Sequence, residues 1–239
     1  MAEPPTADAA LLEAVATNGA AHPARNAELE SMATGVELTL ASVLQGIALA
    51  LLIPKIVELL TSGEYAKLPY IPASLLLLFI VWVAFIGHAL SFIAWPFDPL
   101  HNFLYFLVTS SEAVLLVVID QPAQWFLGLA GFALVMGFNT WYNGRRLEKL
   151  RPYYASANEQ ALYAHIEAEQ RAELGFMAGY FVLGALGFIA LRLRPEFGLP
   201  QELGWAVTGF GAMLLPLVHA LRQSRTLRER ARLIEAAKR

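Results

Sequence analysis

The chain has 239 residues, of which 57% are hydrophobic and only 15% are charged, and its formal net charge is −3. Soluble domains carry about 25% charged residues, so this chain has too few charges to cover a water-soluble core. The composition also excludes collagen and intrinsic disorder, and the absence of cysteine excludes a disulfide scaffold. We therefore predict an all-α, polytopic membrane bundle, because helices satisfy their own backbone hydrogen bonds in lipid.

The first segment, residues 1–35, is polar and rich in alanine, with several proline and glycine breaks. It contains no apolar run behind a basic start, so we expect no cleavable signal peptide. We expect this segment to lie in the cytoplasm.

Six apolar stretches are long enough to cross a bilayer, which takes about 20 residues. Four lie within residues 36–142 and two within residues 174–221. Their expected bounds are Val36–Leu60, Ile71–Trp95, Pro99–Ile119, Pro122–Trp141, Leu174–Leu191 and Glu202–Leu221.

Two polar segments are predicted to extend helices out of the membrane. Residues 143–173 connect spans four and five, and Pro152 interrupts them. After that break, Ser156–Glu173 has the pattern of an amphipathic helix that runs directly into span five. Residues 222–239 form a basic tail that continues span six as a helix.

The basic residues predict the orientation of the bundle. Of the 17 Lys and Arg residues, 13 lie on the side that holds both termini and the even-numbered connections. The positive-inside rule assigns that side to the cytoplasm, so both termini are expected inside. The excess of Arg over Lys is typical of GC-rich bacterial genomes, and we expect a bacterial inner membrane.

Glu112 is the strongest candidate functional residue, because it lies 13 residues into span three, about 20 Å along the helix. His101, Tyr105, Thr109 and Glu112 follow the spacing of one helical face. Ionisable residues inside a membrane are functional candidates by default, and a proton or cation path is one interpretation. The other is a hydrogen-bonded Glu112 that holds helices together.

His88 in span two and Gln45 in span one are expected at a similar depth, about one turn inward of Glu112. The three side chains would form one polar cluster if their helical faces met. His88 could serve as a relay group, as a haem ligand paired with His219, or as a hydrogen-bonded core histidine. Gln45 fits either a lining group or a contact between helices.

Three further features support packing or binding roles. The Gly175-x-x-x-Gly179 spacing predicts close helix packing, within the chain or in a homo-oligomer. Asn139, Thr140 and Asn143 are expected to form a polar collar at the inner end of span four. The tail arginines either bind anionic lipid headgroups or fix the topology; they are Arg222, Arg225, Arg228, Arg230 and Arg232.

No P-loop, H-E-x-x-H or G-x-S-x-G motif is present. We therefore expect no metal and no cofactor, and the sequence favours a protein that is not an enzyme. We also expect no nucleic-acid partner, because the tail lacks interleaved aromatics. The sequence predicts a small ion or proton channel or transporter. The alternative is a membrane-anchored scaffold or effector whose cytoplasmic segments recruit partners.

Overall fold

The computed structural model describes residues 42–91, 99–154, 156–193 and 200–237, together with Gly35 and Thr39. The remaining positions, including nearly all of the expected N-terminal segment, lie outside the described residues. The described chain is helical, without strands, and the expected all-α fold is confirmed. Its helices are α1 Ser42–Thr61, α2 Tyr70–Ser91, α3 Pro99–Val117, α4 Pro122–Leu150, α5 Ala157–Leu193 and α6 Gln201–Ala237.

Helices α1, α2, α3, α5 and α6 are long and apolar enough to cross a membrane. The protein is therefore a multi-pass integral membrane protein. Helix α4 is not among these five, because polar residues at both of its ends dilute an apolar centre. It nevertheless exposes large apolar side chains in the manner of a lipid-facing helix, namely Leu127, Leu134, Phe138 and Trp141.

Contacts between helices fix their relative directions. Helices α3 and α4 are antiparallel, because His101 contacts Asn143 near one end and Leu115 lies against Gly128 near the other. Helix α5 is antiparallel to α4, so α3 and α5 run in the same direction and α4 returns between them. This alternation is what six spans require, although the number of spans and their orientation stay predictions.

Exposed large apolar side chains end at one level on three helices. The last ones are Trp141 on α4, Leu174 on α5 and Leu221 on α6, and none occurs among the described residues of 142–173 or 222–237. These positions coincide with the predicted inner ends of spans four, five and six. The apolar band of the surface therefore stops where hydropathy predicts the membrane boundary.

Beyond that level, the three helices continue as a unit that we call the polar extension, residues 143–173 and 222–237. It has a small apolar core of its own, separate from the core among the spans. That core contains Leu147, Tyr154, Leu162, Tyr163 and Ile166, with Leu233 and Ile234 packed against it. Helices α5 and α6 run without interruption from the spans into this extension.

Helices α4 and α5 approach each other closely at Gly184 on α5. A Cβ atom there would lie 2.6 Å from the backbone nitrogen of Ala130 and 2.7 Å from the carbonyl oxygen of Phe126, both on α4. Gly175, in contrast, faces open space, and Gly179 lies against a side chain of α6. The glycines that bring α4 and α5 together are therefore not those of the expected small-residue motif.

We predict that Gly184→Ala destabilises the bundle, because the atoms it would meet are backbone atoms that cannot rotate away. Overpacking of this kind costs about 1–3 kcal/mol, which exceeds the helix propensity that alanine gains. Unfolding by titration with sodium dodecyl sulfate measures the difference. The matched control is Gly175→Ala, which should be neutral or slightly stabilising, and equal destabilisation by both variants would contradict the assigned contact.

The predicted topology is testable with single cysteines, because the natural chain has none. A membrane-impermeant maleimide added to intact cells should label Ser62→Cys and Gln121→Cys. It should label Lys149→Cys and Ser224→Cys only after the membrane is permeabilised. Labelling of Gln121→Cys and Lys149→Cys from the same side would show that α4 does not cross.

Candidate functional site

Glu112 lies on the face of α3 that points into the helix bundle, and only 2% of its surface is exposed. Neither of its carboxyl oxygens has a hydrogen-bond partner among the described residues. The register of α3 against α4 puts Glu112 about level with Phe132, in the apolar part of the bundle. Glu112 is thus buried as expected, but within the described part of the chain its carboxyl group makes no hydrogen bond that would join two helices.

The other polar residues on this face of α3 are engaged with neighbours. The Thr109 hydroxyl donates to the carbonyl oxygen of Tyr105 at 2.6 Å, within the same helix. The Tyr105 ring packs edge-on against Phe85 of α2 and against His101. His101 is buried, and its Nδ1 lies 2.9 Å from the Oδ1 of Asn143. Polar groups therefore follow the face from the inner end of α3 to Glu112.

The structure differs from the cluster that the sequence predicted for Gln45, His88 and Glu112. Because Phe85 packs against Tyr105, the backbone of His88 lies about 15 Å nearer to the polar extension than Glu112 does, rather than about one helical turn nearer. The side chain of His88 lies outside the described residues. Gln45 is buried on α1, but no hydrogen bond joins it to either oxygen of Glu112.

The part of α4 next to the polar extension also differs from expectation. Asn139, Thr140 and Asn143 are buried, so they do not form a polar collar in contact with headgroups. The side chain of Asn143 lies within hydrogen-bonding distance of His101. The side-chain oxygen of Asn139 has no hydrogen-bond partner among the described residues. Asn143 therefore faces α3, whereas Thr140 lines a cavity between α4 and α5.

The side chain of Arg230 points into the bundle and not toward the surface of the tail. Its side chain is 14% exposed and is bonded to Glu169 of α5, and Glu169 is also 3.3 Å from His165. Gly87 of α2 makes room for it, since a Cβ atom there would lie 2.8 Å from the Arg230 Nη1. Arg230 therefore ties α6 to α5 and α2, and it does not belong to the exposed basic surface.

A second polar chain crosses from α5 to α6 beside this pair. The ring of His219 is fully buried, with Nδ1 3.0 Å from the Tyr180 hydroxyl and Nε2 2.9 Å from Glu173. Phe176 stacks on the same ring at a centroid distance of 4.1 Å. Both ring nitrogens of His219 are engaged by protein groups, so neither is open to a haem iron, contrary to the alternative considered from the sequence.

The two chains border a cavity of about 60 Å³ that Glu169, Glu173, Gln223 and Arg230 help to line. This cluster is not among the sites predicted from the sequence, although the sequence carries a signal for it. His219, Gln223, Thr226 and Arg230 have the spacing of one helical face, which indicates a polar side of α6 directed at a neighbour.

The remaining tail arginines differ in exposure. Arg222 lies 3.9 Å from Glu173 and over the Phe176 ring. Arg225, Arg228 and Arg232 are exposed and have no acidic partner among the described residues. Within residues 222–237, these three arginines form the exposed basic surface, whereas the sequence predicted one that included Arg222 and Arg230 as well.

The chain matches no protein-family model, no curated protein and no solved structure. Within the described residues, no group of three or more His, Asp or Glu side chains is arranged to hold a metal ion.

We predict that Arg230→Gln lowers the free energy of unfolding by about 3 kcal/mol, because it leaves the buried Glu169 without its partner. Arg232→Gln removes the same charge from an exposed site and should change stability by less than about 0.5 kcal/mol. A double-mutant cycle with Glu169→Gln, in detergent titrations, measures the coupling. Strictly additive effects would contradict the pair.

Proposed function

We propose that this protein moves protons across its membrane, with Glu112 as the group that takes up and releases them. The single observation behind the proposal is the carboxyl group of Glu112, buried in a membrane helix with no hydrogen-bond partner among the described residues. We further propose a bacterial inner membrane as its location, with both termini in the cytoplasm.

An unpaired carboxylate is unstable in apolar surroundings, so the group must be neutralised. Buried structural acids are normally paired, as Glu169 of the polar extension is with Arg230. Glu112 has no such partner in the described structure, so a structural role would leave its burial unexplained. Binding of a transported cation or proton explains it.

A proton fits this position better than a metal cation does. Permeating metal cations are held by rings of several oxygens that replace their hydration shell. Glu112 supplies two oxygens, and within the described residues no second acidic or histidine side chain joins it to form such a group of ligands. Protonation of the carboxyl group needs no further ligand.

The distribution of polar groups supports entry from the side of the polar extension. His101, Tyr105 and Asn139 lie between that side and Glu112. On the other side, α3 continues with the fully buried Leu115 and Leu116. A one-sided approach of this kind favours a transporter, or a channel that opens, over a permanently open pore.

The test is proton flux in liposomes that contain the purified protein, a trapped pH dye and an imposed membrane potential. Glu112→Gln keeps the shape of the side chain but cannot ionise, and it should reduce the flux about tenfold or more. Glu235→Gln removes an exposed acid from α6 and should leave the flux within about twofold of the wild type.

Glu112→Asp retains an acid and should retain part of the flux, which separates loss of protonation from loss of fold. Equal flux in Glu112→Gln and the wild type would overturn the role of Glu112. A well-folded wild type without flux would overturn the whole proposal, and would favour the scaffold alternative, in which the polar extension recruits partners.

A further inference from the structure

We propose that the cavity between α4 and α5, at the level where the apolar surface ends, binds the headgroup of a phospholipid that carries both a phosphate and a primary ammonium group. The inference is independent of proton transport. It depends on the position of the cavity, the charges around it and the apolar surface that leads away from it.

The cavity has a volume of about 320 Å³, within the range of small-molecule sites. Its wall includes Trp141, Arg145 and Glu148 from α4, and Glu167, Arg171 and Leu174 from α5. Trp141 and Leu174 are also the last exposed apolar residues of their helices on this side. The cavity therefore lies at the depth of lipid headgroups, where tryptophan is commonly found.

The charges around the cavity are balanced, with two arginines and two glutamates. They form local pairs, Arg145 with Glu148 at 3.5 Å and Arg171 with Glu167. All four side chains are 40% exposed or more, and exposed pairs of this kind contribute little stability. A ligand can therefore replace both pairs at small cost.

A headgroup with both charges satisfies all four side chains. Its phosphate would accept hydrogen bonds from Arg145 and Arg171, since guanidinium groups match phosphate geometry. Its ammonium would donate to Glu148 and Glu167. A purely anionic headgroup would satisfy the arginines but would face two carboxylates, and a quaternary ammonium could not donate a hydrogen bond to either.

Apolar stripes lead from the cavity into the membrane. On α4, Leu134, Phe138 and Trp141 continue the face that carries Arg145, and they are 59%, 50% and 45% exposed. On α5, Leu174 and Phe181 continue the face that carries Arg171. Acyl chains can lie along these stripes while the headgroup occupies the cavity, so a membrane lipid fits better than a soluble phosphate ester.

The test is titration of the delipidated full-length protein, followed by native mass spectrometry. The probes are phosphatidylethanolamine, phosphatidylcholine and phosphatidylglycerol with identical acyl chains, and glycerophosphoethanolamine, which has the headgroup alone. We expect the ethanolamine lipid to bind tightest and the free headgroup to bind weakly. If the free headgroup binds as tightly as the lipid, the site takes a soluble ester and the lipid proposal is overturned.

Arg145→Gln with Arg171→Gln should weaken binding of phosphatidylethanolamine about tenfold, equivalent to about 1.4 kcal/mol. The matched control, Arg225→Gln with Arg228→Gln, removes the same charge from the exposed side of α6, away from the cavity. Equal losses in both doubles would reduce the effect to general charge attraction and would overturn the site.

Substitution of the two glutamates, Glu148 and Glu167, should give a result that loss of fold cannot produce. Glu148→Gln with Glu167→Gln should reverse the preference, so that phosphatidylglycerol binds tighter than phosphatidylethanolamine. An unchanged preference for the ethanolamine lipid in this variant would overturn the assignment of its ammonium group to the two glutamates.

Discussion

The backbone contact between α4 and α5 at Gly184 determines much of the arrangement. At this point no side chain separates the two helices, and α3 packs against α4 while α6 packs against α5. The same pair of helices then continues past Trp141 and Leu174 into the polar extension. The cavity at the boundary lies between these two helices, and Glu112 lies on α3, which packs against α4.

The fold class was predictable because apolar runs in membrane helices are long and uninterrupted. Trp141, Leu174 and Leu221 were expected as inner ends of spans, and exposed apolar surface does end there. The packing glycines were not predictable in the same way. The Gly175-x-x-x-Gly179 spacing describes one helix only, whereas the importance of Gly184 depends on which neighbour approaches it.

Some residues of the candidate site were likewise predictable from the sequence, and others were not. Glu112 was recognisable because an acid within an apolar run is conspicuous in any sequence. The depth of His88 was wrong because equal distances from helix ends do not fix the register, which is set here by Phe85 packing on Tyr105. Arg230 was grouped with the exposed tail, since positive charge alone does not tell which side of a helix meets Glu169.

The uninterrupted length of α5 has a mechanical consequence. Its 37 residues form a rod of about 55 Å that joins the spans to the extension without a proline. A tilt of about 5° about its centre would move each end by about 2 Å. Helix α6 contains Pro216, where part of a similar tilt can be absorbed as a bend. A change in bilayer thickness would thus make α5 slide past α6. The Arg230–Glu169 bond joins these two helices in the polar extension, so the sliding would strain it.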